Sequence, residues 1–300
     1  MTLTELALVP PVFWAVVLFL FGVVIGSFLD VVTFRLHTGK SLNDRSHCYS
    51  CGHLLAWFDL FPLISYLTLR GRCRYCSARI TAHCLWVEVV TGLSFLMVWQ
   101  YTEDMVTILI LCTLVAALIV ASVYDLFHMI IPDETVIISG VLALGLTSYL
   151  HLPNWEPIMY SVLSGAIAFI FFAGLWKYSK GRWIGFGDAK LAIPLGMLVG
   201  LSGLFSLVVL SFWIGAILSV IIISIPYWRN FIKTCTVRVG SLVSSKIQVK
   251  QEIKNSNRSI TMKSEIPFAP FMVLAFVLVF FYSIDVLHLT STVIEVFYAH

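Results

Sequence analysis

Four cysteines of the chain have the spacing of a metal site. Cys48 and Cys51 form one Cys-x-x-Cys motif, and Cys73 and Cys76 form a second one after residues 52–72. Four thiolates close a tetrahedron around Zn²⁺ or a similar soft metal and leave no coordination position for a substrate. A Zn²⁺ ion bound by four thiolates has a net negative charge. Neighbouring arginines would offset this charge, namely Arg45, Arg70, Arg72, Arg74 and Arg79. We therefore predict a structural zinc site, with redox-active or free cysteines as the alternative.

The other three cysteines, Cys84, Cys112 and Cys235, have no partner at ligand spacing. Cys112 lies in the middle of an apolar segment, where a free cysteine behaves as a small hydrophobic residue.

Carboxylates inside apolar segments are costly, and they mark candidate functional sites. Asp125 ends such a segment shortly before Pro132, which cannot continue a helix. Asp188 follows Gly185 and Gly187, which permit a close backbone approach at the start of the next apolar segment. The other acidic residues embedded in or bordering apolar segments are Asp30, Glu88, Asp133, Glu134 and Asp285.

Two facing carboxylates have the chemistry of aspartyl proteolysis. Like charges held close together cannot both ionise, so the two groups share one proton. One carboxylate then activates water while the other protonates the carbonyl oxygen. From the residues alone, two other interpretations of Asp125 and Asp188 stay open. They are residues at the membrane boundary whose side chains reach the membrane–water interface, or they form an ion or proton site.

The composition shows what must position these groups. Hydrophobic residues make up 59% of the 300 residues, charged residues 12%, and mean hydropathy is +0.94. These values predict an all-α polytopic membrane protein, and a net charge of +3 is too small for a nucleic-acid-binding surface. Apolar segments of roughly 20 residues predict eight membrane spans, at 13–32, 85–101, 105–124, 135–152, 158–176, 190–201, 205–225 and 268–287. The sixth and seventh separate only if the chain turns at 200–203, so seven spans is the alternative.

The basic residues predict the orientation, because lysine and arginine concentrate in cytoplasmic loops. All nineteen fall within 35–79, 177–190 and 229–263, which an eight-span chain places on one side. Both termini then face outward, and the first span is interpreted as a permanent anchor rather than a cleaved signal peptide. We divide the chain into a first transmembrane helix at 10–34, a cytoplasmic zinc domain at 35–84 and a transmembrane core at 85–290. The core includes a basic loop at 226–266, interpreted as a solvated loop attracted to anionic lipid headgroups.

Several segments in order along the chain resemble the type IV prepilin peptidases, membrane members of the GxGD aspartyl proteases. The matching segments are 26–36, 45–52, 57–59, 62–67 and 69–76, then Glu88, Thr91, Gly92, Asp125, 131–133, 185–191 and 266–271. A Gly-x-Gly-Asp motif alone is a weak signal, but its combination with the tetracysteine segment and eight spans is highly specific.

The resemblance implies a bifunctional enzyme of the bacterial inner membrane with its active site facing the cytoplasm. Such an enzyme cleaves the short basic leader of prepilins and pseudopilins after a glycine, and then methylates the new N-terminal amine with S-adenosylmethionine. The family motif places the catalytic aspartates at Asp125 and Asp188 and associates the metal-binding cysteine segment with methylation. No residue is assigned to S-adenosylmethionine, and the oligomeric state is not predicted.

This chain departs from the family pattern at Asp30, where asparagine is more frequent, at Leu60 and Phe61, which replace Asn-Ile, and at Ala269, which replaces glycine. The basic loop is also longer than is typical. None of these departures is expected to touch the two aspartates. The alternatives are a peptidase without methylation, a catalytically silent zinc-containing assembly factor, and a proton-coupled transporter, which would need carboxylates nearer the middle of the bilayer.

Overall fold

The computed structural model describes residues 10–36, 46–48, 50–224 and 267–286. In these residues the regular structure is helical, apart from a 3₁₀ turn at Trp57–Leu60 and two isolated β-bridges, His47 with Leu54 and Arg72 with Arg79. The helices are α1 (Pro11–Arg35), α2 (Ile64–Thr68), α3 (His83–Tyr101), α4 (Met105–His128), α5 (Asp133–His151), α6 (Glu156–Ser179), α7 (Phe186–Ser224) and α8 (Ala269–Tyr282). Six of them, α1 and α3–α7, are long and apolar enough to cross a membrane.

The predicted break near residue 200 is present in α7. Gly200 has φ 71° and ψ 178°, a left-handed conformation that favours glycine. Phe169 contacts Phe186, and Phe172 contacts Phe212, although 169 and 172 are only one helical turn apart. On a continuous helix, residues 186 and 212 would be about 39 Å apart. The chain therefore reverses at Gly200. Counting the two halves of α7 separately and adding the shorter α8, the described residues contain eight apolar helices, and the eight-helix prediction is confirmed.

The observed helix ends refine the predicted ones where chemistry was expected. We predicted that the third span would end at 124, but α4 continues to His128, so Asp125 lies inside its last turn. We predicted that the sixth span would begin at 190, but α7 begins at Phe186, so Asp188 lies in its first turn. The predicted turn at 200–203 is confined to Gly200, and α8 ends at Tyr282, five residues before the predicted end.

Helix packing forms two compact units, one within Met1–Val120 and the other within Ala121–His300. In the first unit α1 packs on α3 through glycine, and a Cβ at Gly22 would lie 2.9 Å from the Gly92 Cα. In the second, α6 packs on α7, and a Cβ at Gly196 would lie 2.8 Å from the Ala168 Cβ. Small residues at such contacts let helix backbones approach closely in lipid.

The predicted division into 10–34, 35–84 and 85–290 follows the water-facing segments rather than helix packing, and it stays a prediction. The basic loop at 226–266 and Cys235 lie outside the described residues.

Candidate active site and metal centre

Asp188 is held at the N-terminus of α7. The Gly185 N–H donates to Asp188 Oδ2 at 3.1 Å, so the side chain caps the helix from its first turn. A negative charge at this end is stabilised by the helix dipole. The side chain is buried, and among the described residues its other oxygen, Oδ1, has no hydrogen-bond partner.

Asp125 is also buried, and it is held by a second helix N-terminus. The N–H of Ala269, the first residue of α8, donates to Asp125 Oδ2 at 3.2 Å. The first amides of a helix have no partner within the helix, so a carboxylate satisfies one of them. Asp125 is thus positioned by a residue 144 positions away in the sequence.

Asp125 and Asp188, here called the aspartate pair, interact electrostatically. The connection from α4 to α5 also packs against the Gly-x-Gly-Asp motif, because a Cβ at Gly187 would lie 3.2 Å from the Ile131 Cβ. The structure therefore brings together the two carboxylates that the sequence singled out. Two buried carboxyl groups that interact electrostatically can act as an acid and base pair.

Asp133 has a different environment. Its side chain is 65% exposed and forms an ion pair with Lys190 at 2.7 Å. Among the described residues its carboxylate accepts no hydrogen bond from a backbone amide at a helix N-terminus, unlike the two members of the aspartate pair. Asp133 therefore provides a comparison for that pair.

Ala269 corrects one expectation. We expected that no departure from the family pattern would touch the aspartates, but Ala269 donates its backbone N–H to Asp125. The sequence signal was the pair of prolines around Ala269, which indicated a helix start without indicating what the helix faced. The contact runs through the main chain, so the side chain at 269 does not provide it.

The four cysteines predicted to bind a metal converge. Their Sγ atoms all lie within 4.8 Å of one another, and we call them the cysteine cluster (Cys48, Cys51, Cys73 and Cys76). All four are free thiols. The Cys48 and Cys76 Sγ atoms are 3.8 Å apart, which matches the edge of about 3.8 Å that a tetrahedron with Zn–S bonds of about 2.3 Å requires. The cluster therefore fits a tetrathiolate metal.

The two Cys-x-x-Cys motifs fold into the same turn. Cys48 N–H donates to His53 O, and Gly52 N–H donates to Cys48 O; Cys73 N–H donates to Ala78 O, and Ser77 N–H donates to Cys73 O. The residue after each second cysteine, Gly52 or Ser77, has a positive φ. Burial raises the pKa of Cys48, but amide hydrogen bonds from Cys51 and Ser50 outweigh this effect and bring the pKa to about 7. The backbone thus favours the thiolate form that a metal needs at Cys48. At Cys76 an amide hydrogen bond from Ala78 lowers the pKa, but burial and the three other thiols outweigh it and raise the pKa to about 12.

Asp59 ties the 3₁₀ turn to the second motif. Its carboxylate accepts hydrogen bonds from Arg74 Nε at 2.7 Å and from the Tyr75 hydroxyl at 3.1 Å, and both donors lie between Cys73 and Cys76. Burial raises the pKa of Asp59, but the hydrogen bonds from Arg74, Tyr75 and the Ala56 amide, with the Arg74 charge, together outweigh this effect and lower it overall. The ion pair between Asp59 and Arg74 therefore joins two parts of a loop that buries few apolar side chains.

Glu88 anchors the same loop to α3. The Leu63 N–H donates to Glu88 Oε2 at 2.8 Å, just before α2. Leu63 has φ 58°, which is rare for a residue with a branched side chain. The buried Glu88 therefore fixes an unusual backbone turn, so its embedded carboxylate has a structural role that the sequence did not reveal.

These features define a multi-pass helical membrane protein with a buried aspartate pair and a thiolate cluster. Residues 20–102 match the bacterial peptidase A24 N-terminal domain, and residues 112–220 match the type IV leader peptidase family. The chain belongs to this family.

Curated relatives agree with the assignment. A prepilin leader peptidase/N-methyltransferase of Myxococcus xanthus is 33% identical over 70% of this chain, and the match spans 63% of that relative. An Aeromonas salmonicida protein of the same name is 30% identical over 73% of this chain and 84% of its own length. A type 4 prepilin-like proteins leader peptide-processing enzyme of Escherichia coli is 34% identical over 60% of this chain and 74% of its own. No solved structure matches the chain.

Proposed function

We propose that this protein removes the leader peptide of type IV prepilins and pseudopilins by aspartyl proteolysis and then N-methylates the new N-terminus with S-adenosylmethionine. One observation carries the proposal for cleavage: Asp125 and Asp188 are both buried, interact electrostatically, and are each fixed by a backbone amide at a helix N-terminus. The names of the family's curated members support both activities.

In the proposed reaction the aspartate pair shares one proton. The ionised carboxylate takes a proton from water, whose oxygen attacks the scissile carbonyl carbon, while the protonated carboxyl donates to the carbonyl oxygen. The proton taken from water then passes to the departing amine as the C–N bond breaks, and one hydroxyl of the tetrahedral intermediate returns a proton to the aspartate that had donated it, which restores the shared proton. Because Gly185 N–H occupies Asp188 Oδ2, we assign Oδ1 to the contact with water or substrate. The backbone anchors hold both carboxylates in position, which lowers the reorganisation needed during reaction.

The cysteine cluster would hold one zinc ion in a closed tetrahedron. Such an ion supplies folding free energy to the loop and offers no vacant position for hydrolysis. In this proposal the zinc ion stabilises the surface where S-adenosylmethionine and the freed amine meet. The residues that bind S-adenosylmethionine are left unassigned.

We place the proposed reaction at the cytoplasmic face of the bacterial inner membrane. Every lysine and arginine falls in segments that the eight-helix topology puts on one side, and the positive-inside rule supports assigning this side to the cytoplasm. Asp125, near the end of α4, and Asp188, near the start of α7, border that side.

The test is a cleavage reaction with the full chain in lipid nanodiscs and a purified prepilin, with and without S-adenosylmethionine. Mass spectrometry should find cleavage after the leader glycine in both reactions, and a 14 Da increase on the new N-terminus only with the methyl donor. Intact precursor with a correctly folded enzyme would refute the proposal for proteolysis. Cleaved product that never gains the methyl group would refute the methylation alone.

A further inference from the structure

Three potential metal ligands meet where α1 packs on α3, apart from the cysteine cluster. Asp30 lies on α1, and His83 and Cys84 are the first two residues of α3. Their ligand atoms all lie within 4.8 Å of one another. The sequence alone gave Cys84 no ligand partner, because Asp30 is far away along the chain.

One atom, His83 Nε2, is shared by the contacts. It lies 3.0 Å from Asp30 Oδ1 and 3.5 Å from Cys84 Sγ. The Cys84 Sγ in turn lies within 4.8 Å of an Asp30 carboxylate oxygen. Imidazole, thiol and carboxylate therefore converge on a common point.

The separations match zinc coordination. Zn–S bonds of about 2.3 Å and Zn–N bonds of about 2.0–2.1 Å give a tetrahedral S···N edge of about 3.5 Å. The observed separation of Cys84 Sγ and His83 Nε2 is 3.5 Å. The Nε2···Oδ1 separation of 3.0 Å is slightly shorter than the edge of about 3.3 Å expected for N and O ligands, a difference that a small side-chain rotation removes.

The charges around Asp30, His83 and Cys84 also favour the binding of a cation. Glu88 lies one turn beyond Cys84, is buried, and interacts electrostatically with both Cys84 and Asp30. The carboxylates of Asp30 and Glu88 thus both act on the Cys84 thiol, which lies beside the His83 imidazole. A divalent cation would neutralise this concentration of acidic groups at the helix contact.

We propose that Asp30, His83 and Cys84 bind a second zinc ion, independent of the cysteine cluster. One thiolate, one imidazole and one carboxylate form a ligand set suited to zinc. Three protein ligands leave the fourth tetrahedral position open to water or another small donor, whereas the cysteine cluster is closed. The site joins α1 to α3 at the point where the loop between them returns to the membrane.

The first test is the zinc content of the full chain purified in detergent, after equilibration with buffered free zinc. Wild type should hold about two zinc ions per chain, and Cys84→Ser and Asp30→Asn should each hold about one. The matched control is Cys112→Ser, which removes a different thiol of the first unit and should still hold about two. Asp30→Asn keeps the side chain's size, so it decides the question if Cys84→Ser does not fold. Zinc content unchanged from wild type in a folded Cys84→Ser or Asp30→Asn variant overturns the proposal.

Cobalt substitution tests the ligands directly. In a variant with all four cluster cysteines replaced by serine (Cys48→Ser, Cys51→Ser, Cys73→Ser and Cys76→Ser), Co²⁺ should still give a weak thiolate charge-transfer band from a single sulfur ligand. Adding Cys84→Ser to that variant should remove the band. A spectrum without thiolate charge transfer in the first variant, or a band that survives Cys84→Ser, would rule out the site whatever the activity of the enzyme.

Discussion

The cysteine cluster and the aspartate pair are assembled in opposite ways. Each Cys-x-x-Cys turn is closed by hydrogen bonds within its own few residues, such as Gly52 N–H to Cys48 O. Asp125 depends on the amide of Ala269, 144 positions away. The metal centre is therefore mostly local structure, and the aspartate pair depends on the packing of α4, α7 and α8.

The two centres also differ in what does the positioning. In the cysteine cluster the side chains are the ligands, and the backbone only shapes their turns. In the aspartate pair, backbone amides at two helix N-termini orient the side chains. Substitutions should therefore act on the first through loss of ligands and on the second through loss of carboxylates or displacement of backbone.

The largest expected effect comes from removing either carboxylate. Asp125→Asn and Asp188→Asn should each lower prepilin cleavage by about 10²–10⁴-fold, because one carboxyl group can perform only half of the acid–base cycle. The rate of leader removal in nanodiscs measures this. Asp133→Asn is the control, since Asp133 is exposed and paired with Lys190, and it should be much milder. Near-normal cleavage by either substituted member of the pair would remove that residue from the mechanism.

The second effect would separate the two centres. Cys48→Ser with Cys51→Ser should remove the cluster's metal and impair methylation more than cleavage, because a closed thiolate site has no vacancy for hydrolysis. Mass spectrometry of mature pilin from cells carrying the variant distinguishes cleaved, unmethylated product from uncleaved precursor. Accumulated precursor at normal enzyme levels would show that the loop is needed for proteolysis.

A smaller effect should come from crowding the aspartate pair. A Cβ at Gly185 would lie 3.3 Å from Asp188 Oδ2, so Gly185→Ala should push the carboxylate by a few tenths of an ångström. Since a displacement of about 1 Å can cost about 10²-fold, we expect a loss of about tenfold in cleavage rate. Gly174→Ala is the control, because its added Cβ would meet no atom within 4 Å beyond its chain neighbours and the backbone of its own helix. Equal rates for the two variants would show that the position of Asp188 tolerates more freedom than the structure indicates.

The smallest effect is expected at Ala269. Ala269→Gly keeps the N–H that Asp125 accepts, so the cleavage rate should stay within about threefold of wild type. Ala269 is fully buried, so the loss of its methyl group should lower the thermal unfolding temperature slightly. A loss of cleavage as large as that of Asp125→Asn would mean that the side chain, rather than the amide, positions the carboxylate.

Features that depend on local sequence were predictable. Apolar segments of sufficient length must form helices in lipid, because their backbone groups have no water to bond. Gly200 marked the reversal between the two helical parts of α7 because its left-handed conformation favours glycine. The Cys-x-x-Cys spacing likewise encodes a turn that presents two thiols together.

Contacts between distant segments were not predictable in this way. Nothing in the residues around Ala269 indicated that its amide would meet Asp125, and nothing around Cys84 indicated Asp30. Nor did the embedded Glu88 reveal that it would hold the Leu63 amide.

The sequence by itself thus determined the helices, the turns and the types of group available for chemistry, because these follow from short-range sterics and from the cost of polar groups in lipid. Only the tertiary structure decided which helix N-terminus each aspartate faces, and that the embedded Glu88 is a backbone anchor. The physical reason is that a buried carboxylate must find a donor, and any of several helix ends offers one. The choice among them is made by close packing at residues such as Gly187 and Gly196, whose contacts lie far away in sequence.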